Sequence, residues 1–284
     1  MSCFSRRLVV LFSCALCLAP TPGAARDFLL GAGVEGDTAD GLRFSGLGGI
    51  SLGEKTWLAG TVGQTRVELP TGTDSETMLA SLEIDHHFDP LGVRAGVSYW
   101  GDPDILESAD WNVAVYFRND RVTLAAEYEY RDFDFTIPRT DFFAGRTIRF
   151  DADGLGASAR FRLGERASLS LAGTKYDYSV DFRPTRDRDI LDLISATRLS
   201  LINSLVDSRG RLTFGLDFGF QRLALDLATA KGAVDGTRTR SVTLRYLFPA
   251  GRRSDLELGL GYDDSDDYGD VTFFSLFFYF YGAD

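Results

Sequence analysis

The sequence predicts an all-β chain: a transmembrane antiparallel up-and-down β-barrel of about fourteen strands, with twelve as the alternative. Three observations lead there. Apolar and polar residues alternate with period two through most of the chain, as in residues 122–131, VTLAAEYEYR. Val122, Leu124, Ala126, Tyr128 and Tyr130 hold one parity there, and Thr123, Ala125, Glu127, Glu129 and Arg131 the other. Successive side chains of a strand point to opposite faces, so this segment has one apolar and one charged side. The connections alternate as well, with tight turns (SLGEK, HFDPLG, RNDR, LGER, DSRG, FPAGRRS) separating longer polar stretches (PTGTDSE, GDPDILESAD, TIPRTDFFAGRT, RPTRDRDILDL, ATAKGAVDG, DDSDDYGD). Only the connection around Gly36 to Asp40 is short where a long one is due. Finally, thirty glycines and 13% aromatics against two methionines make a β-rich composition.

The chain opens with MSCFSRR, an apolar run LVVLFSCALCLA and the small-residue stretch PTPGAA. This is the tripartite pattern of a secretory signal peptide, which places a leader at residues 1–25 and the barrel domain at 26–284. Cys3, Cys14 and Cys17 all lie in that leader. Lipidation is disfavoured by Phe12 and Leu16 ahead of the cysteines. Disulfides, thiolate catalysis and cysteine-ligated zinc are excluded for the mature chain.

After the leader no apolar stretch is long enough for a membrane helix. Strands are predicted over 27–35, 41–52, 56–67, 76–88, 91–101, 110–118, 121–135, 147–163, 166–182, 196–206, 211–227, 237–248, 254–263 and 270–281. The least regular of these lies in DILDLISATRLSLINSLVD, where Ile190, Ile194, Leu201 and Leu205 also fit a helical face. A helix or plug there would leave twelve strands.

Apolar stripes are plain elsewhere: Met78, Ala80, Leu82, Ile84; Leu91, Val93, Ala95, Val97, Tyr99; Trp111, Val113, Val115, Phe117; and Leu212, Phe214, Leu216, Phe218, Phe220. Aromatics gather at their ends, with Trp57, Phe88, Phe117 and Phe248 beside short turns and Tyr99, Trp111, Tyr128, Tyr130 and Tyr262 beside long loops. Two aromatic girdles around an apolar band are the expected trace of two membrane interfaces. A soluble sandwich would turn the apolar stripes inward; the girdles and the long regular strands turn them to lipid.

The opposite parity then faces the barrel interior. It carries Arg43, Glu83, Asp85, Arg94, Glu127, Glu129, Arg131, Arg160, Arg162, Asp217, Arg245, Asp255 and Glu257, the candidate pore-lining set. In lipid each such charge would cost several kcal/mol, so these residues fix the phase of their strands. Two arrangements suit them: opposite charges pairing across a narrow lumen and closing it, or basic and acidic walls lining an aqueous path.

The last strand, VTFFSLFFYFY, resembles the aromatic-rich terminal strand of bacterial outer-membrane β-barrels. The likeness rests on Phe274, Leu276, Phe278 and Phe280, although the chain continues through Tyr281 to Asp284. The resemblance implies residence in the bacterial outer membrane among its lipid and lipopolysaccharide. It also implies recognition by the barrel-assembly machinery. A plain barrel, somewhat like the small general-diffusion channels, is what it points to. The other parity, Phe273, Phe277 and Tyr279, is also apolar and must face inward or pack on the first strand.

Little in the chain suggests chemistry. The only histidines, His86 and His87, are adjacent, so at most one reaches the lumen, and no serine follows in a His-x-Ser spacing. DDSDDYGD departs from a calcium loop at Tyr268 and lacks the distant Glu. A net charge of −11 argues against a nucleic-acid partner. No cofactor and no reaction are expected. The sequence therefore points to a passive, porin-like channel for small hydrophilic solutes or ions. The rivals are a closed-lumen barrel with a structural or surface-binding role and, third, an outer-membrane enzyme. Acidic loops at Asp102 to Asp110 and Asp263 to Asp270 suggest a modest cation preference that fades as salt rises.

A closed barrel satisfies its backbone hydrogen bonds internally, so the folded protein is expected to resist SDS at room temperature and change mobility after boiling. Unchanged mobility with a helical circular dichroism spectrum would count against the barrel.

Overall fold

The computed structural model describes residues 27–68, 74–137, 146–180, 205–266 and 269–282; the leader predicted at 1–25 lies outside them. Fourteen strands are hydrogen-bonded in chain order into one closed antiparallel barrel. They are β1 (Phe28–Asp37), β2 (Leu42–Gly53), β3 (Thr56–Glu68), β4 (Asp74–His87), β5 (Leu91–Asp102), β6 (Leu106–Arg118) and β7 (Val122–Ile137). The second half comprises β8 (Arg146–Leu163), β9 (Ala167–Tyr178), β10 (Val206–Phe218), β11 (Gln221–Gly232), β12 (Arg238–Pro249), β13 (Ser254–Ser265) and β14 (Val271–Gly282). Closure is made by β1 and β14, in register from Phe28↔Gly282 to Asp37↔Phe273.

Met78, Leu82, Ile84, Leu91, Val97, Trp111, Val113, Val115, Phe117 and Phe214 are exposed on the outer face, which is the lipid-facing parity of their strands. The barrel is thus the transmembrane β fold the alternation predicts. The count of fourteen is reached by a different route, however. Residues 211–227, read as one strand, are parts of two, folded back at Gly219 and Phe220 with Gly219 at φ +69°. Phe220 is a turn tip and not part of the apolar stripe. Only Leu205 and Val206 of the predicted strand 196–206 lie among the described residues, and Val206 begins β10. DSRG, predicted as a turn, runs inside β10 just past a bulge between Val206 and Ser208.

Inward-facing aromatic rings lie flat on glycines of neighbouring strands. A Cβ built on Gly49 would stand 2.6 Å from the Trp57 ring, and one on Gly154 would stand 2.7 Å from Tyr176. Tyr116 covers Gly92 and Phe273 covers Gly261 in the same way. At the closing pair Phe277 covers Gly33 and Tyr279 rests against Gly31. Only glycine leaves room for the ring, which in turn covers the bare backbone. Trp57 therefore departs from the girdle predicted for it: paired with Asp85, it belongs to the lumen face. The doubly apolar last strand is explained likewise, with Phe274, Phe278 and Phe280 exposed outside and Phe273, Phe277 and Tyr279 seated inside.

Val97, exposed between Leu82 and Trp111, faces lipid, and its neighbour Ser98 faces the lumen. Val97→Arg is expected to impair assembly by roughly 2–4 kcal/mol if near midplane. Ser98→Arg should be milder. The yield of heat-modifiable barrel in outer membranes measures both, and equal damage at the two sites would refute the phase.

Candidate functional site: the lumen

The strand registers place Arg43, Glu83, Asp85, Arg94, Glu127, Glu129, Arg131, Arg160, Arg162, Asp217, Arg245, Asp255 and Glu257 all on the lumen face. They also add charges absent from that set: Glu35, Asp37, Asp110, Arg209, Arg211, Arg222, Asp226 and Asp263. Arg222 and Asp226 were hidden by the unread turn at Gly219. An uninterrupted strand would continue the outward parity of Phe218 onto both, whereas the hairpin resets the phase and turns them inward.

At the long-connection end the interior is packed. Phe133 is fully buried among Leu106, Phe135, Phe150, Tyr176, Leu205 and Val206, and stacks on Phe150 at 4.9 Å and Tyr178 at 6.1 Å. Two members of the predicted pore lining belong to this packing: Glu129 and Arg131 are 9% and 6% exposed. The Arg131 guanidinium lies over the rings of Phe133 (4.8 Å) and Tyr176 (5.7 Å). Its Nε is 3.5 Å from Asp110 and 3.7 Å from Glu129. Glu129 accepts hydrogen bonds from the Tyr176 hydroxyl and from Arg209 Nη2, each at 2.8 Å. Desolvated charges of this kind persist only where such partners surround them.

Nearer the short-turn end the wall is polar and charged. Asp226, 5% exposed, accepts from Nε and Nη2 of Arg211 (3.0 and 2.8 Å) and from Arg245 Nε (2.7 Å). Thr213 also donates to it, at 2.5 Å, and Arg245 Nη2 lies 2.7 Å from it. One buried carboxylate thus fixes two guanidinium groups from the strands on either side. Arg222 runs across Gly215 towards the Ser168 hydroxyl, and a Cβ on Gly215 would stand 2.9 Å from its Nη2. On the opposite arc Arg94 sits between Glu83 (3.5 Å) and Asp85 (3.4 Å), while the Tyr116 hydroxyl donates to Asp85 at 2.6 Å.

These ion pairs run along the wall. Each joins neighbouring strands or residues of one strand, apart from Arg209 and Glu129, whose strands are three apart. The charges are also sorted around the ring. Arg160, Arg162, Arg209, Arg211, Arg222 and Arg245 face inward from β8–β12, where the inward acids among the described strand residues are Asp217 and Asp226. Acids predominate elsewhere, through Asp255, Glu257, Asp263, Glu35, Asp37, Glu83, Asp85 and Glu127.

The histidines are split between faces. His86 shares a hydrogen bond with Thr56 Oγ1 at 2.8 Å on the outside, whereas His87 stacks on Tyr116 inside. Among the described residues no group of three or more His, Cys, Asp or Glu side chains is arranged to hold a metal ion. Of the acidic loop, Asp263 faces the lumen and Asp264 faces outward, 3.9 Å from Arg240, while residues 267–268 lie outside the described residues.

No family model matches the chain, and no curated protein matches it in sequence. Among solved structures it is similar to the outer-membrane expressed OmpT of Vibrio cholerae, at 10% identity and a TM-score of 0.53 over 93% of this chain and 99% of that one. A TodX mutant described as a monoaromatic hydrocarbon channel matches at 8% identity and a TM-score of 0.51, over 95% of this chain and 92% of the other. The KdgM porin matches at 8% identity and a TM-score of 0.43, over 89% and 98%. The chain has the bacterial outer-membrane β-barrel fold, and its apolar outer face places it in that membrane.

The packed cluster is expected to brace the long-connection end. Phe133→Ala should cost roughly 3–5 kcal/mol, read as a lower midpoint temperature of the folded-to-unfolded shift on SDS gels. An unchanged midpoint would mean the cluster bears no load.

Proposed function

We propose that this barrel is a passive channel for small hydrophilic solutes and ions. The observation that carries the reading is that Arg43, Arg94, Arg160, Arg162, Arg209 and Arg211 point towards the barrel axis and yet stay solvent-exposed. A dry interior would penalise each such cation heavily unless it were fully paired. Water-filled space in front of them accounts for their exposure, and ion pairs running along the wall leave that space free. The likeness in fold to one channel, the TodX mutant, supports passage through the barrel. Its surroundings would be outer-membrane lipid and lipopolysaccharide against the apolar stripes, with the aromatic last strand as the feature recognised by the barrel-assembly machinery. The proposal involves no cofactor and no reaction.

The packed aromatic cluster favours a second reading, a barrel closed at its long-connection end with a structural or surface-binding role. Planar-bilayer recording separates the two. The channel reading expects steady, ohmic single-channel steps in potassium chloride from heat-modifiable protein. Correctly folded barrel that inserts and carries no current would establish the closed reading instead.

A further inference from the structure

The lumen wall of β8–β12 combines three features in one place. Arg211 and Arg245 are held by the same buried carboxylate, Asp226, so their guanidinium groups are fixed before any solute arrives. Arg160 and Arg162, on β8, are exposed and have no acidic partner among the described residues. The two sets are linked by paired residues: Arg162, Ser168, Gly215, Ala224 and Arg245 form one continuous rung across β8–β12. Four strand spacings separate its ends, about 19 Å along the wall between Cα atoms. Both arginine side chains project inward from a concave wall and narrow that gap. The floor between them, Ser168, Gly215 and Ala224, is buried, and Arg222 runs over Gly215 towards Ser168, setting a third guanidinium between the two ends. Asp217 lies 3.8 Å from Arg222, and Glu257 lies 3.7 Å from Arg245 Nη1, so Arg245 stands between two carboxylates and Arg211 is the more accessible of that pair.

We propose that this wall is a docking track for organic dianions, with one anionic group held by Arg211 and Arg245 and the other by Arg160 and Arg162. The proposal rests on the channel reading for its access and goes beyond it in naming a solute class. Guanidinium groups bind carboxylates through paired, charge-assisted hydrogen bonds. A monoanion engages one end of the track. A solute long enough to reach both ends makes its second contact intramolecularly, at high effective concentration. The chain between the charges passes over Arg222, beside the half-buried Ser170 hydroxyl.

The test uses the folded full-length barrel, with adipate, pimelate and suberate as dianions and hexanoate as the monoanion. In bilayers at 0.1 M potassium chloride the dicarboxylates are expected to reduce the current saturably, and hexanoate only weakly. The double variant Arg160→Gln/Arg162→Gln should weaken the dicarboxylate effect roughly tenfold, the equivalent of about 1.4 kcal/mol. Ligand-observed NMR on detergent-solubilised barrel reads docking independently of transport. Dicarboxylate binding that the double variant weakens, in a barrel that carries no current, supports the track and overturns the channel. A conducting barrel that treats dicarboxylates and hexanoate alike, or whose dicarboxylate response survives the double variant, overturns the track and leaves the channel standing.

Discussion

Everything in this molecule depends on the hydrogen-bonded closure of β1 on β14. In hydrocarbon an unpaired backbone group costs several kcal/mol, and an open sheet would present two edges of them. Ten residues of β1 pair with ten of β14, and with both edges gone the outer side chains need only be apolar. The inner side chains are then released from packing a conventional core. That freedom lets one barrel hold an aromatic core at one level and a charged wall at another.

The two levels solve the problem of buried charge differently. Glu129 and Arg131 are withdrawn from water and satisfied by Asp110, Tyr176, Arg209 and the ring faces around them. Asp226 is equally withdrawn, but its arginines keep one side in the lumen. The first arrangement consumes its charges to make a rigid brace. The second uses one hidden charge to aim two accessible ones. The second lies along the wall and leaves the lumen's width free, whereas the first includes the Arg209–Glu129 pair between strands three apart.

Most strands were legible because lipid enforces the alternation: Leu91 to Tyr99 and Trp111 to Phe117 leave no other phase. The hairpin at Phe218–Gln221 was not legible, since its tip carries Gly219 and an exposed Phe220 without the Asn, Asp or Pro that usually marks a turn. Missing it hid Arg222 and Asp226, the latter being the centre of the arginine pair. The interior aromatic cluster did leave a signal. Phe133 and Phe135 share parity with Glu127, Glu129 and Arg131, so apolar residues continue the face that carries the charges. A mixed face of this kind marks wall that turns from wet to packed, but deciding where it turns requires the neighbouring strands. Which charges pair along the wall was beyond the sequence, because it depends on the register between neighbouring strands and, for Arg209 and Glu129, on strands three apart.

The rings seated on glycines at the closing pair bear on how faithfully the barrel can be assembled. A slip of β14 against β1 by one residue would turn aromatic rings and apolar stripes to the wrong sides, and lipid would reject it. A slip by two residues preserves inside and outside, so the hydrophobic pattern cannot detect it. The seats can: moving Phe277 opposite Gly31 brings Ser275 opposite Gly33 and leaves that slot vacant, while the opposite slip sets Phe277 opposite Glu35. The final join thus favours its own frame over even-numbered errors that the membrane would pass, because each of them unseats Phe277 from Gly33.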